Sequence, residues 1–322
     1  MSTYLITGIA GFIGSSIARE LARRGERIRG IDNFSTGKPE NLASISSVID
    51  FREVDLLDMQ GVIQACAGID YVIHQAALPS VPRSIVDPIS CNDSNVNGTL
   101  HLLVAARDAR VKRVVYASSS SLYGDTPRPL KSEDMTPNPI SPYAVSKLAG
   151  EYYMRSFHAV YGVATVSLRY FNVFGPYQDP GSMYTGVMAI LIPKMLRQER
   201  ATIYGDGEQS RDFTYIDNVV DANLLACHAP ADQVAGRYFN IAGGRRITVN
   251  ETYLLLQKLL GYSEPALYAP ERPGDIKHSL ADIRLAEQCL GYRPSVDFED
   301  GLRRTVEWYR MQSLSPAGAV RA

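Results

Sequence analysis

The sequence carries no surplus of either charge. Its 33 lysines and arginines stand against 34 aspartates and glutamates in 322 residues, so no basic field is present to draw nucleic acid or an anionic membrane surface. A dissolved small molecule is the better-matched partner. Cysteine is scarce as well: Cys66, Cys91, Cys227 and Cys289 are widely scattered and make neither a metal-ligand pattern nor a disulfide framework. They read as reduced core thiols, and no metal site is expected. Long apolar runs are also missing. The longest, such as 186–192, fall far short of the roughly 20 residues that span a bilayer. The start, Met1-Ser2-Thr3-Tyr4-Leu5, runs straight into an apolar strand without a basic region or cleavage site. The expectation is a cytoplasmic protein that does not enter a membrane. No internal repeat or low-complexity tract interrupts the chain, and only the end beyond Gln312 reads as loose.

Apolar residues make up 45% of the chain, ample for a sizeable core. Through the first half, short runs rich in Ile, Val and Tyr alternate with longer segments of helical period, the pattern of a parallel sheet covered by crossover helices. Tyr4-Leu5-Ile6, Ile28-Arg29-Gly30-Ile31, Tyr71-Val72-Ile73 and Val114-Val115-Tyr116 are the clearest strands. Helices are expected from Phe12 to Arg24, from Asp58 to Cys66 and from Asn92 to Arg107, the last with Val96, Leu100, Leu103 and Val104 on one stripe. After Phe171 the rhythm breaks at Pro176, Pro180 and Gly181 and again at Tyr204-Gly205-Asp206-Gly207. The fold class is therefore α/β: a Rossmann-type doubly wound parallel sheet with a smaller mixed α/β substrate domain woven around it. We expect a dinucleotide-binding domain over 1–171, with a later contribution from about 211–242 that includes a strand near Gly236 to Ala242. A second domain is expected over 172–210 and 243–322.

Gly8-Ile9-Ala10-Gly11-Phe12-Ile13-Gly14 follows the first strand and opens the first helix. Glycine lets the backbone turn tightly there and approach a pyrophosphate, which the helix N-terminus then faces. A glycine triplet alone serves a tight turn equally well, but here Asp32 ends the next strand. An acid at that position accepts hydrogen bonds from a ribose diol and repels a 2′-phosphate, so the expected cofactor is NAD rather than NADP. Asp55-Leu56 and Ala76-Ala77 also close strands, where ligands of open sheets gather, although the small residues fit a packing role as well.

Ser141-Pro142-Tyr143-Ala144-Val145-Ser146-Lys147 reads as a helix start, with Ser141 the cap and Pro142 in the first turn. Tyr143 and Lys147 then share one face. A phenol ionises near pH 10, and an ammonium one turn away, beside the positive ring of an oxidised cofactor, favours the phenolate. Tyr and Lys at this spacing also arise by chance. Upstream, Ser118-Ser119-Ser120-Ser121 closes a strand where a hydroxyl can hold a sugar oxygen against the tyrosine.

Taken together, Gly8/Gly11/Gly14, Asp32-Asn33, Asp55-Leu56, the serine run before Tyr123-Gly124-Asp125, Tyr143/Lys147 and Arg169-Tyr170-Phe171-Asn172-Val173-Phe174-Gly175 resemble the extended short-chain dehydrogenase/reductases, specifically the UDP-sugar 4-epimerases. The resemblance runs on through Ser210-Arg211-Asp212-Phe213 and Arg272-Pro273-Gly274-Asp275 and covers nearly the whole chain. It implies that Ser119, Tyr143 and Lys147 are catalytic: Ser119 contacts the sugar, Tyr143 is the base, and Lys147 lowers its pKa and holds the ribose. NAD would meet Gly8, Gly11, Phe12, Ile13, Gly14, Asp32, Asn33, Ser35, Thr36, Gly37, Asp55, Leu56, Ala76, Ala77, Tyr143, Lys147 and Tyr170. The UDP-sugar would meet Ser80, Ser119, Ser120, Tyr143, Asn172, Arg211, Arg272, Asp275 and Ser279, with Asn172 and the two arginines on the diphosphate. Guanidinium groups suit that task because they stay charged and bond phosphate oxygens in pairs. The implied reaction is redox-neutral and passes through a transient 4-keto sugar that turns over between oxidation and reduction. A homodimer is implied as well.

Ser80-Val81-Pro82-Arg83-Ser84 and Gln178-Asp179-Pro180 bring the chain nearest to the members acting on UDP-N-acetylhexosamines, and Ser279 stands where members restricted to plain hexoses carry tyrosine. Pro79 departs from the family, in which Gly or Lys is more usual. UDP-GlcNAc/UDP-GalNAc is the expected substrate pair, with UDP-Glc/UDP-Gal also accepted. Sugar dehydratases of this scaffold carry an acid beside the catalytic hydroxyl, and the decarboxylases a Glu; here serine and Leu122 stand there. The alternatives are a UDP-glucuronic acid 4-epimerase and a non-catalytic sensor of NAD or a nucleotide sugar.

Overall fold

The computed structural model describes residues 1–179, 186–271 and 277–314. Arg272 and Asp275 lie outside them, as do Pro180, Gly181 and the end beyond Leu314. Seven strands form one parallel sheet: β1 (Thr3–Thr7), β2 (Arg27–Asp32), β3 (Ile49–Glu53), β4 (Tyr71–His74), β5 (Arg113–Ser119), β6 (Thr165–Tyr170) and β7 (Arg237–Ile241). Their spatial order is β3-β2-β1-β4-β5-β6-β7. The order reverses between β1 and β4, and a crevice at such a reversal is where ligands of doubly wound sheets bind.

Side chains alternate across the sheet with the period of two that a strand imposes. Tyr4, Ile6, Ile73, Val115, Val166 and Leu168 face one layer, in which Ile17 and Leu21 of the Phe12–Arg23 helix and Val219 of the Ile216–His228 helix pack. Leu5, Ile31, Val72 and Val114 face the other, against Val62, Leu102, Leu103, Met154 and Phe157 from the Met59–Cys66, Gly98–Asp108 and Pro142–Tyr161 helices. The first layer continues without a break through Tyr253 and Leu256 of the Val249–Leu260 helix to Leu302 and Val306 of the Phe298–Leu314 helix. Two-stranded pairings complete the later half, among them Ser210–Asp212 with Arg246–Thr248 and Leu130–Lys131 with Leu280–Ala281.

One expected element differs. In place of a single helix from Asn92 to Arg107, an α-helix over Pro88–Asn92 widens into a π-turn over Asp93–Asn97 and resumes over Gly98–Asp108. The wider turn rotates the face that follows. Asn95, Thr99, Leu102 and Ala106 are therefore buried, while Val96, Leu100 and Val104 are half-buried.

Between sheet and helices lies a buried ion pair. Arg169 of β6 meets Glu151 of the Pro142–Tyr161 helix through two bonds, Nε to Oε1 at 2.8 Å and Nη2 to Oε2 at 2.7 Å, with both side chains 1% exposed. Removing one partner of such a pair leaves an uncompensated charge out of water. Arg169→Met should lower stability by about 3–5 kcal/mol in urea unfolding with cofactor content held constant. Adding Glu151→Leu should recover much of that loss, whereas a single variant as stable as wild type would show that the pair is not a structural determinant.

Candidate active site

The turn after β1 has the backbone its glycines permit. Gly8 lies at φ +69°, and a Cβ there would come within 2.6 Å of Ala76 N; a Cβ on Gly14 would overlap the Gly8 carbonyl oxygen. Gly11 is the N-cap of the Phe12–Arg23 helix and makes no side-chain cap bond to the first-turn amides, so the amides around Phe12, Ile13 and Gly14 present the positive end of the helix. Asp32 closes β2 beside this turn, 8% exposed, its carboxylate accepting from Ala10 N at 2.9 Å and Phe34 N at 2.8 Å. Burial raises its pKa and the amides oppose the rise.

Gly37 folds over that carboxylate so closely that a Cβ would stand 2.9 Å from either oxygen. Ser35 and Thr36 lead into this contact, and Ser35 N donates to Asn33 Oδ1 at 3.0 Å. Asn33 Nδ2 in turn donates to Asp55 Oδ2 at 2.7 Å, and the Leu56 carbonyl accepts from His101 Nδ1 at 2.9 Å. A glycine cradle that side chains would fill, an uncapped helix start and a carboxylate at the next strand end fit the diphosphate and ribose of NAD. At the end of β6 the Tyr170 hydroxyl accepts from Gln75 Nε2 at 3.0 Å and Asn223 Nδ2 at 2.8 Å.

Around β4, hydrogen positions can be assigned from their partners. Thr99 Oγ1 donates to the Asn95 carbonyl at 2.6 Å, so it accepts from His74 Nε2 at 2.9 Å. His74 Nδ1 then accepts from Thr7 Oγ1 at 2.7 Å, and Thr7 Oγ1 accepts from Ala76 N at 3.2 Å. Burial, with Lys147 nearby, lowers the His74 pKa to about 3, so this link between Ala76, at the cofactor end, and the π-turn is uncharged.

Across the crevice the Pro142–Tyr161 helix begins as expected, with Ser141 Oγ accepting from Ala144 N at 3.2 Å. Tyr143 and Lys147 share a face, and the Ser119 hydroxyl at the end of β5 lies near enough to the phenol to favour its charged form. Ser120 opens the 3₁₀ turn over Ser120–Tyr123. Lys147, 3% exposed, donates from Nζ to the Ala117 carbonyl at 2.9 Å and lies 4.9 Å from the centre of the Tyr116 ring. The electrostatics differ from the expectation of a tyrosine made acidic by its lysine. Burial pushes Tyr143 up to about 12, and the Ser119 hydroxyl opposes it. Burial also brings Lys147 down to about 8. In the ligand-free protein, burial is the largest cause of both shifts and disfavours the charged form of each group.

The remaining site residues divide in two. Ser80 is buried and accepts from Arg83 N at 3.0 Å, capping the short helix over Val81–Val86. Asn172, at φ +32°, donates from Nδ2 to the Asp212 carbonyl at 3.0 Å. The adjacent Arg211 donates from Nη1 to the carbonyls of Ser210 at 3.0 Å and Lys277 at 3.4 Å. Ser279 is buried against the same strand, its amide donating to the Ser210 carbonyl at 3.1 Å. Asp212 ties this wall together by accepting from Gly244 N at 3.0 Å and Ala281 N at 3.1 Å.

Sequence reading missed Glu151, and it placed Asp212 and Ser84 in motifs without giving either a role. Glu151 was detectable, one turn beyond Lys147 on the face already identified. The roles of Ser84 and Asp212 carry no local signal, since their partners come from distant segments. Among the described residues no cluster of His, Cys, Asp and Glu could hold a metal ion, and no helix is long and apolar enough to cross a membrane.

The chain belongs to the NAD dependent epimerase/dehydratase family, whose pattern matches residues 4–242. It is an enzyme that uses NAD. Over 314 residues, 96% of this chain and 99% of the other, it is 37% identical to the UDP-glucose 4-epimerase of Mycolicibacterium smegmatis. The UDP-N-acetylglucosamine 4-epimerase of Methanobrevibacter ruminantium, solved with UDP-N-acetylmuramic acid, superimposes with a TM-score of 0.91 at 40% identity over 97% of this chain and 99% of that one. The Thermus thermophilus UDP-glucose 4-epimerase, solved with NAD, gives 0.85 at 36% identity over 96% and 99%.

The lowered lysine pKa has a measurable consequence. A lysine with a folded pKa of about 8 and an ordinary value of 10.5 binds fewer protons folded than unfolded between those limits. Its contribution to stability is complete above the upper limit and is lost as the pH falls through the lower one. In the ligand-free protein, the stability difference between wild type and Lys147→Met should therefore move in favour of wild type as the pH rises across this window. Urea unfolding at several pH values measures it, and a constant difference would overturn the depressed pKa.

Proposed function

We propose that this protein is a UDP-sugar 4-epimerase that interconverts UDP-GlcNAc and UDP-GalNAc and acts more slowly on UDP-Glc and UDP-Gal. The observation that supports the reading is the gathering of Ser119, Tyr143 and Lys147 at the end of the parallel sheet that also carries the glycine turn and Asp32. In this reading residues 1–171 with 211–242 hold NAD, while 172–210 and 243–322 hold most of the UDP-sugar. The resemblance further supports a homodimer, and a dissolved nucleotide sugar suits a cytoplasmic enzyme.

Bound NAD supplies reversible oxidation at C4 and a positive ring that favours the phenolate. Tyr143 takes the O4 proton through its phenol oxygen and returns it after the keto sugar has turned over. Ser119 donates toward the same oxygens and keeps the proton path short. Lys147 stays anchored to the Ala117 carbonyl, where its charge can stabilise the phenolate without competing for the proton. Asn172, Arg211 and Arg272 hold the diphosphate. Anchoring by the part that does not react lets the sugar turn while its reacting carbon stays near the base. No carboxylate follows Ser119 in Ser120-Ser121-Leu122-Tyr123, which favours epimerisation over elimination.

The choice of sugar rests on Ser279 and on likeness to the Methanobrevibacter ruminantium UDP-N-acetylglucosamine 4-epimerase. A serine in that wall leaves room for a 2-acetamido group where tyrosine would overlap it. Ser279→Tyr should abolish turnover of the acetylated pair and spare the plain hexoses, because a pocket rejects a group mainly by overlap. Comparing kcat/KM for both pairs tests this; equal loss on both would remove Ser279 from the account. A wild type active on UDP-glucuronate alone would favour the uronic acid 4-epimerase instead.

Tyr143→Phe should lower kcat by about 10²–10⁴-fold with little change in UDP-sugar binding, since the phenol acts on a proton in the transition state. Proton NMR of the sugars, with enzyme of confirmed NAD content, measures it. Near-normal kcat in the Phe variant would refute the base.

A further inference from the structure

The start of the helix that carries Tyr143 is held by a residue 59 positions earlier. In the first turn of a helix the amides have no intrahelical acceptor. Here Pro142 has no amide proton, Ala144 N donates to Ser141 Oγ at 3.2 Å, and Val145 N donates to the Ser141 carbonyl at 2.9 Å. The remaining amide is that of Tyr143 itself, and it donates to Ser84 Oγ at 3.0 Å. Ser84 is 1% exposed and gives its own proton to the Val81 carbonyl at 2.7 Å, so its oxygen is fixed as an acceptor. The Tyr143 carbonyl is tied as well, accepting from Ser146 Oγ at 2.8 Å. Ser146 Oγ accepts from Asn95 Nδ2 at 3.0 Å, and Asn95 Oδ1 accepts from Leu78 N at 2.8 Å. Both peptide groups of Tyr143 are thus joined to the two ends of the 78–84 segment, which includes Ser80.

We propose that Ser84 is a positioning residue for the reaction: its hydroxyl locks the main chain of Tyr143 to the 78–84 segment, so that the phenol stands against Ser119. The inference rests on the assignment of Tyr143 as base. Locking by a hydroxyl rather than by packing matters because a buried amide without an acceptor is costly. With Ser84 removed, the first turn relaxes toward another acceptor and takes the phenol with it. A small displacement suffices, since misplacement by about 1 Å lowers a rate about a hundredfold. Most UDP-sugar affinity resides in the groups that hold the diphosphate and does not follow.

The test compares wild type, Ser84→Cys and Ser84→Ala, each with NAD content and melting temperature measured. Cys nearly preserves the shape and offers a much weaker acceptor; Ala offers none. The expected result is a graded fall in kcat, Ser above Cys above Ala, reaching about ten- to a hundredfold for Ala, with KM unchanged. Exchange of the Tyr143 amide, followed by hydrogen–deuterium exchange, should quicken in the same order. Should the Ala variant unfold or lose NAD, the Cys variant carries the comparison. Equal kcat in Ser and Cys forms that both retain NAD would overturn the proposal, as would a fall in kcat matched by a rise in KM. If wild type epimerises no UDP-sugar, it is the functional reading that fails. Amide exchange still judges the lock, and unchanged exchange would refute it.

Discussion

Arg169 and Glu151 set the geometry on which the site depends. Their two parallel bonds leave the Glu151 carboxylate one further acceptor position of use, and Ser118 Oγ occupies it by donating to Oε1 at 2.6 Å. Arg169 Nη1 donates to the Tyr123 hydroxyl at 2.9 Å, and that hydroxyl donates to Asn240 Oδ1 at 2.7 Å. One buried charge pair therefore joins the helix of Tyr143 and Lys147 to β5, β6, β7 and the turn after β5. A carboxylate so fully supplied with directed donors admits one rotation of its helix about the axis. That rotation places Lys147 and Tyr143, one and two turns earlier, toward the strand end that carries Ser119.

Above this pair a path of neutral groups crosses the site. Thr7, His74, Thr99, Asn95 and Ser146 pass hydrogen bonds from the edge of the glycine turn to the carbonyl of Tyr143, and the lowered pKa of His74 keeps the path free of charge. The same burial explains why Tyr143 moves up to about 12 and Lys147 down to about 8. Desolvation opposes any charge that lacks a partner at close range. Under the proposed function, the positive ring of bound NAD beside the phenol would offset this cost and favour the phenolate.

What was legible in the sequence was local. The glycine turn needs backbone conformations that glycine allows at Gly8 and close approaches that it allows at Gly14, so its spacing signals it. Ser141 and Pro142 mark a helix start whichever fold surrounds them. Tyr143 and Lys147 share a face by helical period, and Asp32 follows from its place at a strand end. The helix expected from Asn92 to Arg107 shows the limit of such reasoning. Its apolar stripe was read with an uninterrupted period, but the π-turn at Asp93–Asn97 turns Asn95 inward, where Leu78 and Ser146 meet its carboxamide. A polar residue that is buried for the sake of tertiary partners cannot be found by counting apolar ones.

Sequence alone determined most strands and helices of the first half, the glycine turn, the acid at the end of β2 and the shared face of Tyr143 and Lys147. Each depends on residues within a few turns of one another, through backbone sterics, capping or periodicity. Tertiary structure alone decided that Ser84 receives the amide of Tyr143, that Arg169 and Glu151 set the rotation of the helix, that Asp212 gathers the strand of Arg211 with the segment of Ser279, and that burial raises the pKa of Tyr143 in the ligand-free protein. Those outcomes depend on which distant hydroxyls, amides and charges share a space from which water has been removed, and the strength of each interaction there is set by that missing solvent rather than by chain order.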